Sequence, residues 1–532
     1  YSIWRVEIEY WISVCYNDDM VIKALRLFSL ISLIFGIFGL SKNIFSIYDS
    51  YKVLVVAMVL ILFIVAVFLL SKKFSKKTLL VFFIFIALIS QMITGFSTAS
   101  TQHSWDAGAI QTIANNYIKT GNTDPDDKAW EYNYLLRYDN NITITYFVVI
   151  IYRIANFVGI DKDILLIFIN NILILLSSLF IMAIIYVKFN KPVFSIISTF
   201  IIAIINFSPY STVFYTDTVG LFFIASQLFI LLLIELYAKK GNGYILKILT
   251  ILLGIFAYLG YAIKPTTLIL MISIFLSLLF FINKCRNVKI IAKYFGLFIF
   301  GAISSFFVLN TLIVSSNGFA KYSSSQIREK RTGFLHYLGM GSMRGLPPYN
   351  ECNTGSYCPR YADDTAAKGA REREKVSLNI FIDSLTNDFP FGWLKFAILK
   401  ISNFFNDGTF GVWGEGSSRN NFIQFLAEGN IVHKFRHFLS WNGDKFRLFS
   451  VFISIVWGAI LTLFTIFIFK SANKFKYYHV VLLFFTLLVV TYQVLFESRA
   501  RYIFIYLPIF IVGAAFGLNF ILEMYNGRNE KR

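Results

Sequence analysis

Apolar runs long enough to cross a lipid bilayer recur along almost the whole of this chain, and no other feature limits its fold so severely. In hydrocarbon every backbone N–H and C=O must be satisfied inside the protein, so only helices or a closed barrel can span. The runs here are continuous rather than alternating, which selects helices. The composition agrees: 57% of the 532 residues are hydrophobic and the mean hydropathy is +0.65. A soluble enzyme with one anchor is excluded, and an all-α multi-pass membrane protein is expected. The 59 Phe and 30 Tyr suit lipid-facing and interfacial positions.

Charge then orients the spans. A formal net charge of +19 would suit nucleic acid if the bases formed one patch, but they sit in short clusters between apolar runs, as cytoplasmic loops do. The cluster Lys72, Lys73, Lys76, Lys77 marks the clearest inside-facing loop. Spans are expected near 24–48, 52–71, 78–95, 163–187, 193–208, 218–238, 248–263, 265–283, 294–314, 450–470, 479–495 and 501–523, about twelve in all. The stretch 142–160 is apolar enough to be another. If it crossed, however, the basic loops at Lys188 to Lys191, Lys239 to Lys247 and Lys284 to Lys293 would fall outside. Parity therefore places 142–160 as a re-entrant or juxtamembrane helix at the outer face.

Three regions follow: an N-terminal membrane module (1–314) with a first outer loop at 96–141, an extracytoplasmic loop domain at 315–449, and C-terminal spans at 450–532. The first outer loop is acidic (Asp106, Asp124, Asp126, Asp127, Glu131, Asp139). The 315–449 segment is too long for a plain connection and reads as a small folded cap. Residues 1–22 mix aromatic and charged positions and suit either an interfacial helix or a frayed terminus. The chain begins at Tyr1 rather than Met, which leaves its true start open; no leader pattern is read there. Of four cysteines, Cys15 and Cys285 fall near inside ends, whereas Cys352 and Cys358 share the large outer loop, where a local disulfide is plausible.

Polar residues that chemistry requires collect at the expected outer ends of spans. Asp106, in the setting Trp105-Asp106-Ala107-Gly108, opens a helix-like run just past the membrane. It suits a general base, though an acid in a first turn is also an ordinary helix cap. Asp217, in Tyr215-Thr216-Asp217, opens the span at 218 and could orient an acceptor, cap the helix, or hold Mg or Mn together with Asp106. Lys264 before Pro265, and Arg499 and Arg501 after Glu497, put cations where topology disfavours them, as suits binding of a phosphate. Glu497 suits pairing with one of the arginines. Trp105, Tyr215, His336, Arg344 and Glu497 are the candidates for substrate contacts. The five histidines (His103, His336, His433, His437, His479) show no zinc-ligand spacing. Asn141-Ile142-Thr143 matches a glycosylation acceptor pattern, a weak signal.

In the order Trp105-Asp106-x-Gly108, Tyr215-Thr216-Asp217, Lys264-Pro265-Thr266, His336 to Gly341, then Glu497-x-Arg499-x-Arg501-Tyr502 with Pro508, the chain resembles the C-type membrane glycosyltransferases (GT-C fold). These include protein O-mannosyltransferases, the bacterial aminoarabinose transferase and Gram-positive cell-envelope enzymes. The resemblance implies a GT-C-like helical bundle and a polyprenyl-phosphate-linked sugar donor. It also implies transfer on the extracytoplasmic face, with Asp106 as base and Arg499 or Arg501 on the donor phosphate. The acceptor would be a glycan, teichoic acid, lipid or protein, and the setting a bacterial cytoplasmic membrane. No nucleic acid is expected as a partner. An envelope polysaccharide polymerase or ligase, and a lipid-linked sugar flippase or transporter, remain as alternatives; transporters more often carry ionisable residues or broken helices at mid-membrane.

Overall fold

A computed structural model describes residues 20–99, 105–123, 134–282, 288–411, 429–470 and 477–529. Outside them fall most of the expected N-terminal interfacial helix, His103, Asp124, Asp126, Asp127, Glu131, Cys15, Cys285, Lys284, Arg286, Lys474 and Lys476. Among the described residues every regular element is helical. Eleven helices among these residues are long and apolar enough to cross a membrane, and Lys191–Asn206 and Pro265–Phe280 are shorter apolar helices. Ten of the eleven and the two shorter helices correspond to the expected spans. The remaining one, Asp139–Val158, contains the segment that parity assigns to the outer face.

Local sequence sets where the helices begin. Ser75 accepts from the Thr78 amide, Asp161 from Asp163 and Ile164, and Asn190 from Val193, each satisfying first-turn donors with a short polar side chain. Pro265 interrupts an otherwise continuous apolar run, so Gly243–Ile263 ends before it and Lys264 takes an extended conformation. The basic residues at the expected inside ends gather at one end of the bundle. There Lys76 Nζ donates to Phe189 O at 2.5 Å and Lys191 Nζ to Phe74 O at 3.2 Å. Glu235 pairs with both Lys188 and Lys239, and Arg26 Nε donates to Ile468 O.

Glycine brings helices together where lipid offers no hydrophobic drive between them. A Cβ on Gly254 would lie 2.0 Å from the carbonyl oxygen of Phe298, and one on Gly301 2.2 Å from that of Ile251. Gly243–Ile263 and Val288–Ser315 are thus locked by reciprocal glycines. The pair Gly513 and Gly517, four residues apart on Leu507–Asn529, faces Phe464 and the Leu463 carbonyl of Phe446–Lys470, where a Cβ would come within 2.2 and 1.9 Å. Gly517→Val is therefore expected to destabilise the bundle by about 1–3 kcal/mol through overpacking. Thermal unfolding in detergent checks this, and an unchanged transition would mean that the two helices do not pack so closely.

The helix Ile142–Val158 packs against Trp105–Thr120, which the short helix Tyr134–Arg137 reaches through the Tyr134 hydroxyl on Asp106. Arg153 stacks over Tyr117, Tyr117 donates to Asn317 O, and Tyr146 donates to Leu312 O, while Ile154, Phe157 and Val158 form an exposed apolar edge. The polar segment after Ser315 builds a second, smaller core of Met340, Met343, Tyr349, Cys358, Tyr361 and Ala362, and Cys352 and Cys358 are joined in a disulfide. Phe391–Phe405 from this segment packs on Met20–Ile47, with the Phe405 ring over Gly36 and Ser402 against Gly39. Ile431–Leu439 is fastened to the end of Lys76–Thr98 by Arg436 Nε to Ser97 O (2.9 Å) and Ser97 Oγ to Val432 O (3.0 Å).

Candidate functional site

At the end of the bundle away from the lysine cluster, four chain segments remote in sequence deliver charged side chains to one place. Asp106 lies in the first turn of Trp105–Thr120, preceded by Trp105 at φ 55°, a left-handed conformation that is costly for a bulky residue. Asp217 lies in the first turn of Thr216–Lys239. Lys264 sits at the proline break. Arg499 and Arg501 follow Tyr477–Leu495, where an extended residue leads into the 3-10 turn Ala500–Tyr506.

The Asp217 side chain is 2% exposed and is held between two cations. Lys264 Nζ reaches Oδ1, and Arg501 Nε lies 3.4 Å from Oδ2. Arg501 also places Nη2 4.0 Å from Asp106 Oδ2, so one guanidinium stands between the two carboxylates. It lies 5.6 Å from the Tyr215 ring centre and 5.4 Å from that of Tyr502, with Lys264 over the Tyr502 ring at 5.2 Å. Burying these charges is costly, and only their mutual pairing offsets it.

Asp106 differs in being 36% exposed. Its Oδ1 accepts from Tyr134 Oη at 2.8 Å, Asn141 Nδ2 donates to the same phenol oxygen at 2.9 Å, and Tyr215 Oη donates to Asn141 Oδ1 at 3.4 Å. Burial, with the charge of Asp106 next, holds the Tyr134 phenol well above its ordinary value of 10. Burial likewise pushes Tyr138 up to about 12 and Tyr215 well above 10. All three are therefore hydrogen-bond donors at neutral pH. A further charged pair is Glu497 with Arg499, Nε to Oε1 at 2.9 Å, with Tyr502 Oη donating to the same oxygen at 3.0 Å. Arg499 is 34% exposed and lies over the Tyr357 ring at 5.2 Å.

Of the sequence candidates, the structure brings Asp106, Tyr215, Asp217, Lys264, Glu497, Arg499 and Arg501 together, with Trp105 beside Asp106. Arg344 stands elsewhere: it donates to Asn387 O and lies 4.0 Å from Asp388, bracing two parts of the polar segment. His336 belongs to that segment's own packing, stacked on Tyr361 at 4.8 Å with Nδ1 3.3 Å from Thr365 Oγ1. Burial, aided by Arg137 and Arg373, lowers it to about 3, so it is neutral. Asn141 is 2% exposed and committed to Tyr134, so it does not present a glycosylation acceptor.

The pair Asp106 and Asp217 makes a poor divalent-cation site. Both oxygens of Asp217 face a side-chain cation and Arg501 stands between the acids, so the positive charge a metal would supply is already built in. The only cluster with metal-ligand spacing among the described residues, Glu351 with Cys352 and Cys358, has its sulfurs in the disulfide.

Sequence reasoning missed Tyr134, Tyr138, Asn141 and Lys400. The close spacing of Tyr134 and Tyr138 before an apolar helix was a usable signal; Lys400 offered none, because its surroundings come from other segments. Lys400 is fully buried, and its Nζ donates to Gly341 O and, at 2.7 Å, to Phe496 O. It thereby fastens Phe391–Phe405 to the residue preceding Glu497. Burial lowers its pKa from 10.5 to about 7, with Glu497 opposing. The unfolded chain then binds more protons than the folded one between these values, so this group makes stability rise with pH from about 7 to 10.5, and its cost is fully present once pH has dropped below about 7. Lys400→Met is expected to flatten that rise, measured as the pH dependence of thermal unfolding; an unchanged slope would remove Lys400 as its source.

Fold and site together define a multi-pass all-α membrane protein with a mixed-charge, tyrosine-rich cluster at one end of its bundle. The chain belongs to the family described as conserved hypothetical integral membrane protein, whose model matches residues 16–520. No curated protein matches it.

Proposed function

We propose that this protein is a membrane glycosyltransferase of the GT-C type that takes a sugar from a polyprenyl-phosphate donor and passes it to an extracytoplasmic hydroxyl. The observation that carries the reading is the convergence of a half-exposed carboxylate, Asp106, with a half-exposed guanidinium, Arg499, on a cluster otherwise buried. A base and a phosphate ligand must both be reachable, whereas the groups that hold them need not be. The positive-inside rule supports the face, since the lysine cluster marks the opposite end as cytoplasmic.

In this mechanism Asp106 accepts the proton of the acceptor hydroxyl as its oxygen bonds to the anomeric carbon from the side opposite the phosphate. The bond from that carbon to the phosphate oxygen breaks, and the configuration inverts. Arg499 stabilises the charge gathering on the leaving phosphate. Tyr134 holds the Asp106 carboxylate in place. Asp217 is a positioning residue rather than a second base: it anchors Lys264 and Arg501 beside the leaving group.

Release of polyprenyl phosphate from a panel of short-chain polyprenyl-phosphate sugars, with purified protein in detergent, tests the reading. No release from any donor by folded protein would sink it. Arg499→Ala is expected to raise the donor KM about tenfold or more, since a charge-assisted contact to phosphate is lost; an unchanged KM would remove Arg499 from the donor site.

The flippase or transporter alternative draws on one feature. The helix Lys191–Ile201 passes into a π turn at Ile202–Asn206, beside a buried amide network in which Gln91 donates to Asn171 and Ser211 and accepts from Asn206. Movement of lipid-linked sugar across vesicles without cleavage would favour it.

A further inference from the structure

The polar segment that follows Ser315 contains a cavity of about 70 Å3 lined by Arg328, Arg331, Gly333, His336, Arg373, Glu374 and Ser377. That is room enough for ordered water or for one small tetrahedral anion. Three arginines line it against a single glutamate, an imbalance unlike an ordinary solvated surface, where signs are interspersed.

Arg373 makes the imbalance consequential. It is 4% exposed, and its guanidinium donates to backbone carbonyls, Nη2 to Glu329 O at 2.7 Å and Nη1 to Lys368 O at 3.3 Å. The nearby Glu329 carboxylate turns instead to the Ala370 amide at 3.3 Å, so that Glu329 and Glu374 favour the charge of Arg373 through space, with no ion-pair contact to it among the described residues. A buried cation whose acids stand off without touching it gains from an anion that makes direct contact. Arg328 likewise has no acid partner among the described residues, and Arg331 has only a 4.0 Å approach to Asp139 with both side chains well exposed. At the cavity wall, Gly333 starts the helix Phe334–Gly341 with no side-chain cap, so the positive end of that helix faces the same space.

We propose that this cavity is a binding site for a phosphate-class oxyanion, held by the guanidiniums of Arg373, Arg328 and Arg331. Guanidinium forks match the edges of a tetrahedral oxyanion, and three of them around one small space give more than a point charge would. The site is distinct from the cluster around Asp106, but the Thr332 amide and hydroxyl both bond to Arg137 O, tying its wall to the short helix that carries Tyr134. The chemistry is shared by a soluble phosphate-bearing ligand and by the headgroup of an anionic phospholipid; Phe334, 67% exposed beside this wall, gives the second source a place to rest its acyl region.

The test uses the full chain in two settings. Calorimetric titration with inorganic phosphate in detergent is expected to show saturable binding, weakened about tenfold or more in the double variant Arg328→Gln, Arg331→Gln. These two arginines are exposed, so the variant keeps the fold, which Arg373→Met does not guarantee. Native mass spectrometry from nanodiscs of phosphatidylglycerol or phosphatidylcholine reads the lipid source: retention of phosphatidylglycerol alone, lost in the double variant, would also support the site and name the headgroup as its ligand. Absence of both signals, or binding that the double variant leaves intact, would overturn the proposal. Neither readout involves sugar transfer, so the result stands apart from the proposed reaction.

Discussion

On the proposed reaction, Asp106→Asn is expected to abolish sugar transfer while leaving the protein folded. A positioned general base contributes about a hundredfold to ten-thousandfold to rate, and an amide cannot take the proton. The fold should survive because Asp106 is 36% exposed and its nearest cation, Arg501, is at 4.0 Å. The Tyr134 hydroxyl, at 2.8 Å, can still donate to the amide oxygen. The comparison is polyprenyl phosphate released by variant and wild type, with thermal unfolding as the control. Wild-type turnover by the variant would remove Asp106 from the reaction.

The second large effect is on stability. Asp217→Ala leaves Lys264 and Arg501 facing each other at 12% and 9% side-chain exposure without the carboxylate between them. Removing one member of a buried ion pair costs about 3–5 kcal/mol, chiefly the penalty of the charge left behind. The double variant Asp217→Asn, Lys264→Met should recover much of that loss, because it removes charge from both sides. Apparent melting temperatures of the single and double variants decide the matter. Equal stability of wild type and Asp217→Ala would mean that solvent reaches these cations, and the positioning role would fall with it.

Much of the bundle was legible beforehand, and for a local reason. Hydropathy is summed over neighbours in sequence, so the spans announce themselves, and Ser75, Asp161, Asn190 and Pro265 mark where helices start or break within a few residues of their own positions. The candidate site was half legible. Asp106, Asp217, Lys264, Arg499 and Arg501 stood out because each is a charge at the end of an apolar run. Arg344 and His336 looked similar in the sequence, yet the first braces Asn387 and Asp388 and the second packs on Tyr361. Tyr134 escaped notice, and Asn141 was read only as a glycosylation acceptor, because their meaning comes from Asp106, 28 positions before Tyr134.

What the sequence alone determined is therefore the class: a helical, multi-pass membrane chain, since in hydrocarbon a backbone has almost no other way to satisfy its hydrogen bonds. The tertiary structure decided which charges neutralise one another. Lys264 comes to Asp217 across 47 residues, and Arg501 comes from the far end of the chain to stand between two acids. Such pairings depend on glycine-set helix spacing and on where each span happens to end. They are properties of packing in three dimensions that no local window of sequence contains.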